Sequence, residues 1–140
     1  MDLKKIIPAA VMMIFGILLI AAGLFILPPC DHLIETANGG GVPMKCHWSV
    51  VADAVLGGII LCGGIMSLFV KRDTASGIFM AMIPVCIAGI LIPACIIGGC
   101  SMPTMKCRAL TFPALYVLNT LCGMGAVICF VLTKKKEERR

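Results

Sequence analysis

Four long apolar runs constrain this chain more than any other feature. They cover Ile6–Pro28, Val50–Val70, Ser76–Gly98 and Thr111–Thr133, each 21–23 residues long. Roughly 20 apolar residues in a helix cross the hydrocarbon core of a bilayer. Backbone N–H and C=O groups in lipid must be satisfied within the segment, which a helix achieves and a lone strand does not. Asp53 is the only charged residue in the four runs. Hydrophobic residues make up 60% of the 140 and charged residues 14%, where a soluble domain carries about 25% charge. A chain of this size buries too small a fraction of its surface to hide that much apolar area from water. Soluble globular, disordered and nucleic-acid-binding classes are excluded. The expected fold is all-α: an integral membrane four-helix bundle forming a single membrane domain over residues 1–140.

The net charge of +5 is a topology signal. Lys4 and Lys5 precede span one, Lys71 and Arg72 separate spans two and three, and Lys134, Lys135, Lys136, Arg139 and Arg140 follow span four, nine basic residues on one side. Lys45, Lys106 and Arg108 are the three on the other. Basic residues accumulate on the cytoplasmic side, so both termini are expected there, in a multi-pass protein of the plasma membrane. The tail 134–140 is a cytoplasmic stop that attracts anionic lipid. Span one exceeds the usual apolar core of about 7–15 residues in a signal peptide. Pro28-Pro29-Cys30 also lacks the small residues of a cleavage site, so span one is expected to remain as a helix.

The two halves echo one another. Span one ends in Pro-Pro-Cys30 and span three in Gly-Gly-Cys100, and Met-Lys-Cys occurs at 44–46 and again at 105–107. The expectation is two repeated antiparallel helical hairpins, about 1–70 and 76–133. The inner loop Lys71–Ala75 is short enough to force adjacent antiparallel helices. The outer loops are Pro29–Ser49 and Gly99–Leu110.

The nine cysteines divide by position. Cys30, Cys46, Cys100 and Cys107 sit at the outer ends of spans. An even, outward-facing set in an oxidising compartment reads as disulfides, and the repeat favours Cys30–Cys46 and Cys100–Cys107. Free thiols in a reducing setting, metal ligation and redox chemistry are the alternatives. Cys62, Cys86, Cys95, Cys122 and Cys129 lie within spans and read as small buried residues. Ala54, Gly58 and Cys62 recur every four residues and form a face for close packing of a neighbouring helix, and Ala94 and Gly98 do the same in span three. Cys122 and Cys129 share a face.

Polar functional atoms concentrate between Cys30 and Asp53: Cys30, Asp31, His32, Glu35, Met44, Cys46, His47, Trp48, Ser49 and Asp53. Thiolate, imidazole and carboxylate are zinc ligands, and thioether with thiolate suits copper(I). A metal site at Cys30, His32, Cys46 and His47 is the weaker reading, because the chain has no Cys-x-x-Cys. Solvated polar residues and an interfacial Trp48 are the simpler one. Asp53 lies about one turn inside span two. In a helix it shares a face with Ser49 and Cys46. Desolvation disfavours its charge, so it must neutralise or find a partner. The expected partners are the Ser49 hydroxyl and Lys106 or Arg108. Asn119 is the matching oddity of span four and reads as helix-to-helix glue. Pro84 and Pro93 are expected to kink span three, and Pro113 falls in the first turn of span four.

Pro43-Met44-Lys45-Cys46-His47-Trp48-Ser49, the pair Ala52-Asp53, and Cys107 followed by Thr111-Phe112-Pro113-Ala114-Leu115 resemble a family of small bacterial and archaeal four-span membrane proteins. That family is catalogued as domain of unknown function 4418. The resemblance implies four spans but no activity. Such genes can lie beside ABC-type permease and ATPase genes, which implies a transporter accessory.

The chain has no nucleotide-binding loop and no nucleophile–base pair. It is expected to be a non-catalytic accessory or structural subunit of a larger membrane assembly such as a transporter, and to need no cofactor. Its partners would be the lipid bilayer and either a larger permease, such as an ABC-type transporter, or further copies of itself. Two readings compete: a thiol-redox or metal-handling protein using the outward cysteines and His47, and a minimal homo-oligomeric transporter using Asp53.

Overall fold

The computed structural model describes residues 3–26, 33–35, 37, 39–43, 45–98 and 107–137. Four helices occupy most of them: α1 (Leu3–Ala21), α2 (Lys45–Phe69), α3 (Arg72–Leu91) and α4 (Phe112–Glu137). A π-helical turn extends α1 (Ala22–Ile26), another extends α3 (Ile92–Ile96), and a third leads into α4 (Cys107–Thr111). With these turns, all four helices are long and apolar enough to cross a membrane. Their outward faces carry large apolar side chains such as Ile17, Phe25, Phe69 and Leu132, which hydrocarbon accommodates and water does not.

Local sequence explains where the helices begin and end. α2 starts at Lys45, five residues before the apolar run, so Cys46, His47, Trp48 and Ser49 are helical rather than loop. Only Val70 and Lys71 separate α2 from α3. Asp73, Thr74 and Ala75, expected in the loop, form the first turn of α3, where the Asp73 carboxylate complements the helix dipole. Pro93 has no N–H to give to the fourth carbonyl back, and the chain widens there into the π turn. The N–H of Ile97 then donates to the Ile92 carbonyl at 2.9 Å. Gly98, with φ of +76°, ends the segment, a conformation that glycine adopts without strain.

Two short strands were not expected. β1 (Leu33–Glu35) and β2 (Gly41–Pro43) pair antiparallel with Ile34 opposite Val42, in the connection that leads into α2. This end of the bundle is called the strand end below.

α1 packs mainly on α2 and α3 on α4, while α2–α3 and α1–α4 contacts complete the bundle. Glycines seat these contacts. A Cβ at Gly16 would lie 2.8 Å from both the Gly57 carbonyl and the Leu61 nitrogen. One at Gly57 would lie 2.9 Å from Leu19 Cβ, and one at Gly64 3.1 Å from the Met13 nitrogen. Gly63 receives the tip of Met82 from α3. The packing face of α2 is therefore Gly57, Gly63 and Gly64, and not the expected Ala54–Gly58–Cys62 stripe. Ala54 is buried, but Gly58 has nothing within 4 Å of an added Cβ and Cys62 is exposed. The reason is geometric. Positions 57 and 64 are seven apart and hold one face of α2 toward α1 over two turns, whereas 58 and 62 drift off that face.

Two apolar clusters fill the interior. Ala22, Cys46, Val50, Phe112 and Leu115 form one at the strand end. Met12, Leu19, Ile60, Phe79, Met82, Cys86, Cys122, Ala126 and Cys129 belong to the other. On α4, Asn119 falls between Leu115 of the first cluster and Cys122 of the second.

Candidate functional site

The strand-end half of α2 turns one polar face inward. Cys46, Ser49 and Asp53 are all fully buried, as their shared helical face requires. Ser49 Oγ donates to the Gly98 carbonyl at 2.9 Å and also lies 3.4 Å from the Lys45 carbonyl. It thereby ties the first turns of α2 to the end of span three. Asp53 does not use Ser49. Its Oδ1 accepts a 2.9 Å hydrogen bond from Asn119 Nδ2 of α4. The same Nδ2 donates to the Leu115 carbonyl at 3.0 Å. A carbonyl only accepts, so that bond fixes the amide with its nitrogen toward Asp53 and its oxygen elsewhere.

Asp53 and Asn119 are both 0% exposed. Asp53 Oδ2 and Asn119 Oδ1 are buried with no hydrogen-bond partner. The third member of the site is Gly89 of α3. A Cβ there would lie 2.7 Å from Asn119 Cγ and 2.8 Å from Asp53 Oδ1, so the α3 backbone closes directly over the pair. About one turn further on, Cys86 of α3 and Cys122 of α4 are buried in the second apolar cluster. The site is thus a polar layer where α2, α3 and α4 meet between two apolar clusters.

The expected partners of Asp53 are corrected accordingly. Asn119 replaces Ser49, because the Ser49 hydroxyl is committed to carbonyls on the same and the neighbouring segment. Arg108 is exposed in the turn before α4 and lines a small cleft with Pro93, Ala94, Phe112, Pro113 and Tyr116. Lys106 lies outside the described residues. His47 and Trp48 stand edge to face with ring centroids 5.9 Å apart, and Trp48 is 55% exposed, as an interfacial indole would be. Glu35 is exposed in β1.

Each expected disulfide involves a cysteine outside the described residues. No disulfide joins cysteines among the described residues. Cys30, Cys100 and the side chain of Cys107 lie outside them, so Cys30–Cys46 and Cys100–Cys107 are not part of the described structure. Cys30 and His32 of the metal reading, with Asp31 and Met44, also lie outside. Among the described residues no three of His, Cys, Asp and Glu gather to hold a metal ion. Of the span cysteines, Cys86, Cys122 and Cys129 are buried as expected. Cys62 and Cys95 are exposed on outward faces, where a small apolar side chain is equally at home.

Lys45-Cys46-His47 opens α2, a helix long and apolar enough to cross a membrane, and Asp53 lies buried two turns on. The family described as domain of unknown function (DUF4418) matches residues 12–132. The chain belongs to that family. The match spans all of α2, α3 and the site residues Asp53, Gly89 and Asn119. A search of curated proteins and a search of solved structures each find no match.

The sequence marks Asp53 and Asn119 separately as polar residues in apolar runs but does not join them. Depth could have done so. Counted from the helix starts, Asp53 is eight residues after Lys45 and Asn119 seven after Phe112, which places the two at similar levels; counted from the apolar runs, at three and eight residues, the match is hidden. Gly89 left no such signal among the fifteen glycines of the chain.

Proposed function

We propose that this chain is a small non-catalytic integral membrane protein acting as an accessory subunit of a larger assembly. In this reading a transmembrane helix of a larger permease, such as an ABC-type transporter, docks in the groove between α2 and α3. The observation that supports it is Gly58. The other α2 glycines (Gly57, Gly63 and Gly64) are consumed by close contacts inside the bundle. Gly58 has nothing within 4 Å of an added Cβ, yet glycine costs a helix about 1 kcal/mol relative to alanine. It lines a groove of about 470 Å³ with Val55, Ile59, Cys62, Ile78 and Ala81. Small residues let helix backbones approach closely in lipid, where no hydrophobic force drives association.

The remaining architecture of the proposal is two repeated antiparallel hairpins with both termini cytoplasmic. Its support is the repeated Met-Lys-Cys, the pairing of α1 with α2 and α3 with α4, and the nine-to-three division of basic residues. Single cysteines placed near either terminus in a background lacking the native ones should resist a membrane-impermeant thiol reagent on intact cells. Labelling of either terminus would overturn the orientation.

The docking test uses Gly58→Leu, which fills the groove without touching the bundle's internal contacts. The permease subunits should copurify with the native chain, and the variant should lose them by about 10-fold or more, the effect of roughly 1.4 kcal/mol. Its helicity and elution should be unchanged. Equal recovery of the permease with both proteins would reject the groove. Capture of a second copy instead, lost in the variant, would replace the permease by self-association.

One observation favours a second reading, a minimal transporter working through Asp53. A carboxyl buried in a span with an unpartnered oxygen is costly to keep and is the ordinary mark of an ion or proton pathway. Loss of a proton-coupled flux in Asp53→Asn, with normal membrane levels, would promote it over the accessory role.

A further inference from the structure

The polar layer lacks one specific thing. Asp53 Oδ2 and Asn119 Oδ1 are both buried oxygens without a partner. Both are acceptors, so what is missing is a donor hydrogen. The neighbouring donors are already engaged. The Ser49 hydroxyl, one turn toward the strand end, gives its hydrogen to a backbone carbonyl. The Cys86 and Cys122 thiols, buried in the next layer of the core, give no hydrogen bond to either oxygen. Both hydrogens of the Asn119 amide are used, on Asp53 Oδ1 and the Leu115 carbonyl. Among the described residues no positive charge is at hand either. The apolar runs contain no Lys, Arg or His. α1 offers no titratable group from Ile6 to Ile26. Cys95 of the π turn after α3 and Arg108 before α4 are exposed. On α2 itself His47 is only half-buried and precedes Ser49.

A carboxylate in these surroundings has a buried charge with neither a cation nor a second donor among the described residues to offset it, which burial strongly disfavours. A metal ion would answer the charge, but it needs several oxygen ligands around it. Among the described residues no three His, Cys, Asp or Glu side chains gather to supply such a set. A proton needs no further ligand. We propose that Asp53, clasped by Asn119 and roofed by Gly89, is a proton-binding site in the bundle interior and holds its proton when the four helices are closed. One proton passes from hydronium to Oδ2, an O–H bond forms, water is released and no electron moves. The carboxyl becomes neutral, Oδ1 still accepts from Asn119, and Oδ2 becomes a donor in a layer that has only acceptors to spare. This site is independent of whether the α2–α3 groove docks a permease.

Infrared spectroscopy of the purified full chain in lipid bilayers reads the proton directly, through the carbonyl stretch of a neutral carboxylic acid. Of the seven acidic residues, Asp53 is the only one inside an apolar run. Carboxyl groups in water are ionised at neutral pH. The native chain at neutral pH should therefore show one protonated carboxyl band. That band should shift when aspartate, but not glutamate, is isotopically labelled with carbon-13, and it should be absent from Asp53→Asn. A spectrum of the native chain with carboxylate bands only would overturn the proposal, and this result needs no variant to fold. A protonated band that persists in a folded Asp53→Asn protein would overturn it equally. Docking lost in Gly58→Leu with the band intact would leave the two conclusions separate, as would the converse.

Discussion

Gly16→Val should prevent the bundle from closing, while Gly58→Val should leave it as stable as the native chain. Both glycines lie in apolar helices, and neither needs the left-handed backbone that glycine alone adopts freely. Their difference is entirely in what a side chain would meet. At Gly16 a Cβ would sit 2.8 Å from the Gly57 oxygen and 2.8 Å from the Leu61 nitrogen. Both are backbone atoms of α2, which no rotamer change can move aside. α1 and α2 must then separate, and with them go the contacts of Gly57 on Leu19 and of Gly64 on Met13. Overpacking a formed core costs about 1–3 kcal/mol when side chains can adjust, and here the adjustment is of a whole helix. Valine's branches add to the collision. Denaturation of the purified proteins in mild detergent, followed by helicity and by reactivity of the buried Cys86, Cys122 and Cys129, should show Gly16→Val open and Gly58→Val closed. Equal stability of the two variants would mean that the α1–α2 contact is not seated on Gly16.

The same contrast explains how much of the molecule is legible in the chain. Hydropathy and length identify four helices because lipid leaves the backbone no other means of satisfying itself, and this constraint acts on each span alone. Helix boundaries are less legible. The polar start of α2 and the first turn of α3 are helical, yet nothing apolar marks Lys45–Ser49 or Arg72–Ala75. The short strand pair is hidden because three residues a side carry no periodicity. Which glycine faces which neighbour depends on the rotation of each helix about its axis. A spacing of four, as in Ala54–Gly58–Cys62, identifies a face but not what lies opposite it. The Asp53–Asn119 pair falls between these cases. Each residue is conspicuous in its own run, and the expectation that a buried acid finds a partner holds. The partner itself is set by helix packing rather than by charge. A basic residue at the end of α4 would have to reach inward past Phe112 and Leu115, both buried, whereas Asn119 already stands at the right depth.

Removing Asn119 should destabilise the bundle more than removing Asp53, and removing both should cost little more than removing Asp53 alone. Asn119→Leu is close in volume but deletes the one donor to Asp53 among the described residues, the 2.9 Å bond to Oδ1. Both carboxyl oxygens are then buried without a partner, and leaving a buried polar group unsatisfied costs about 1–3 kcal/mol. Asp53→Leu removes the group that is expensive to bury. The Asn119 amide keeps its 3.0 Å bond to the Leu115 carbonyl and loses one interhelical hydrogen bond, about 0.6 kcal/mol on average within a membrane; the neutral amide hydrogen this strands is offset by the relief of the acid. In the double variant Asn119→Leu no longer orphans anything, so its penalty should shrink or vanish. The cycle is therefore expected to be strongly non-additive, with the double variant more stable than the sum of the single losses by about 1–3 kcal/mol. Unfolding of the four proteins in one detergent, compared at equal conditions, measures each corner. Additive losses would mean that Asp53 and Asn119 act separately. A smaller loss for Asn119→Leu than for Asp53→Leu would mean that the acid, rather than its clasp, holds α2 to α4.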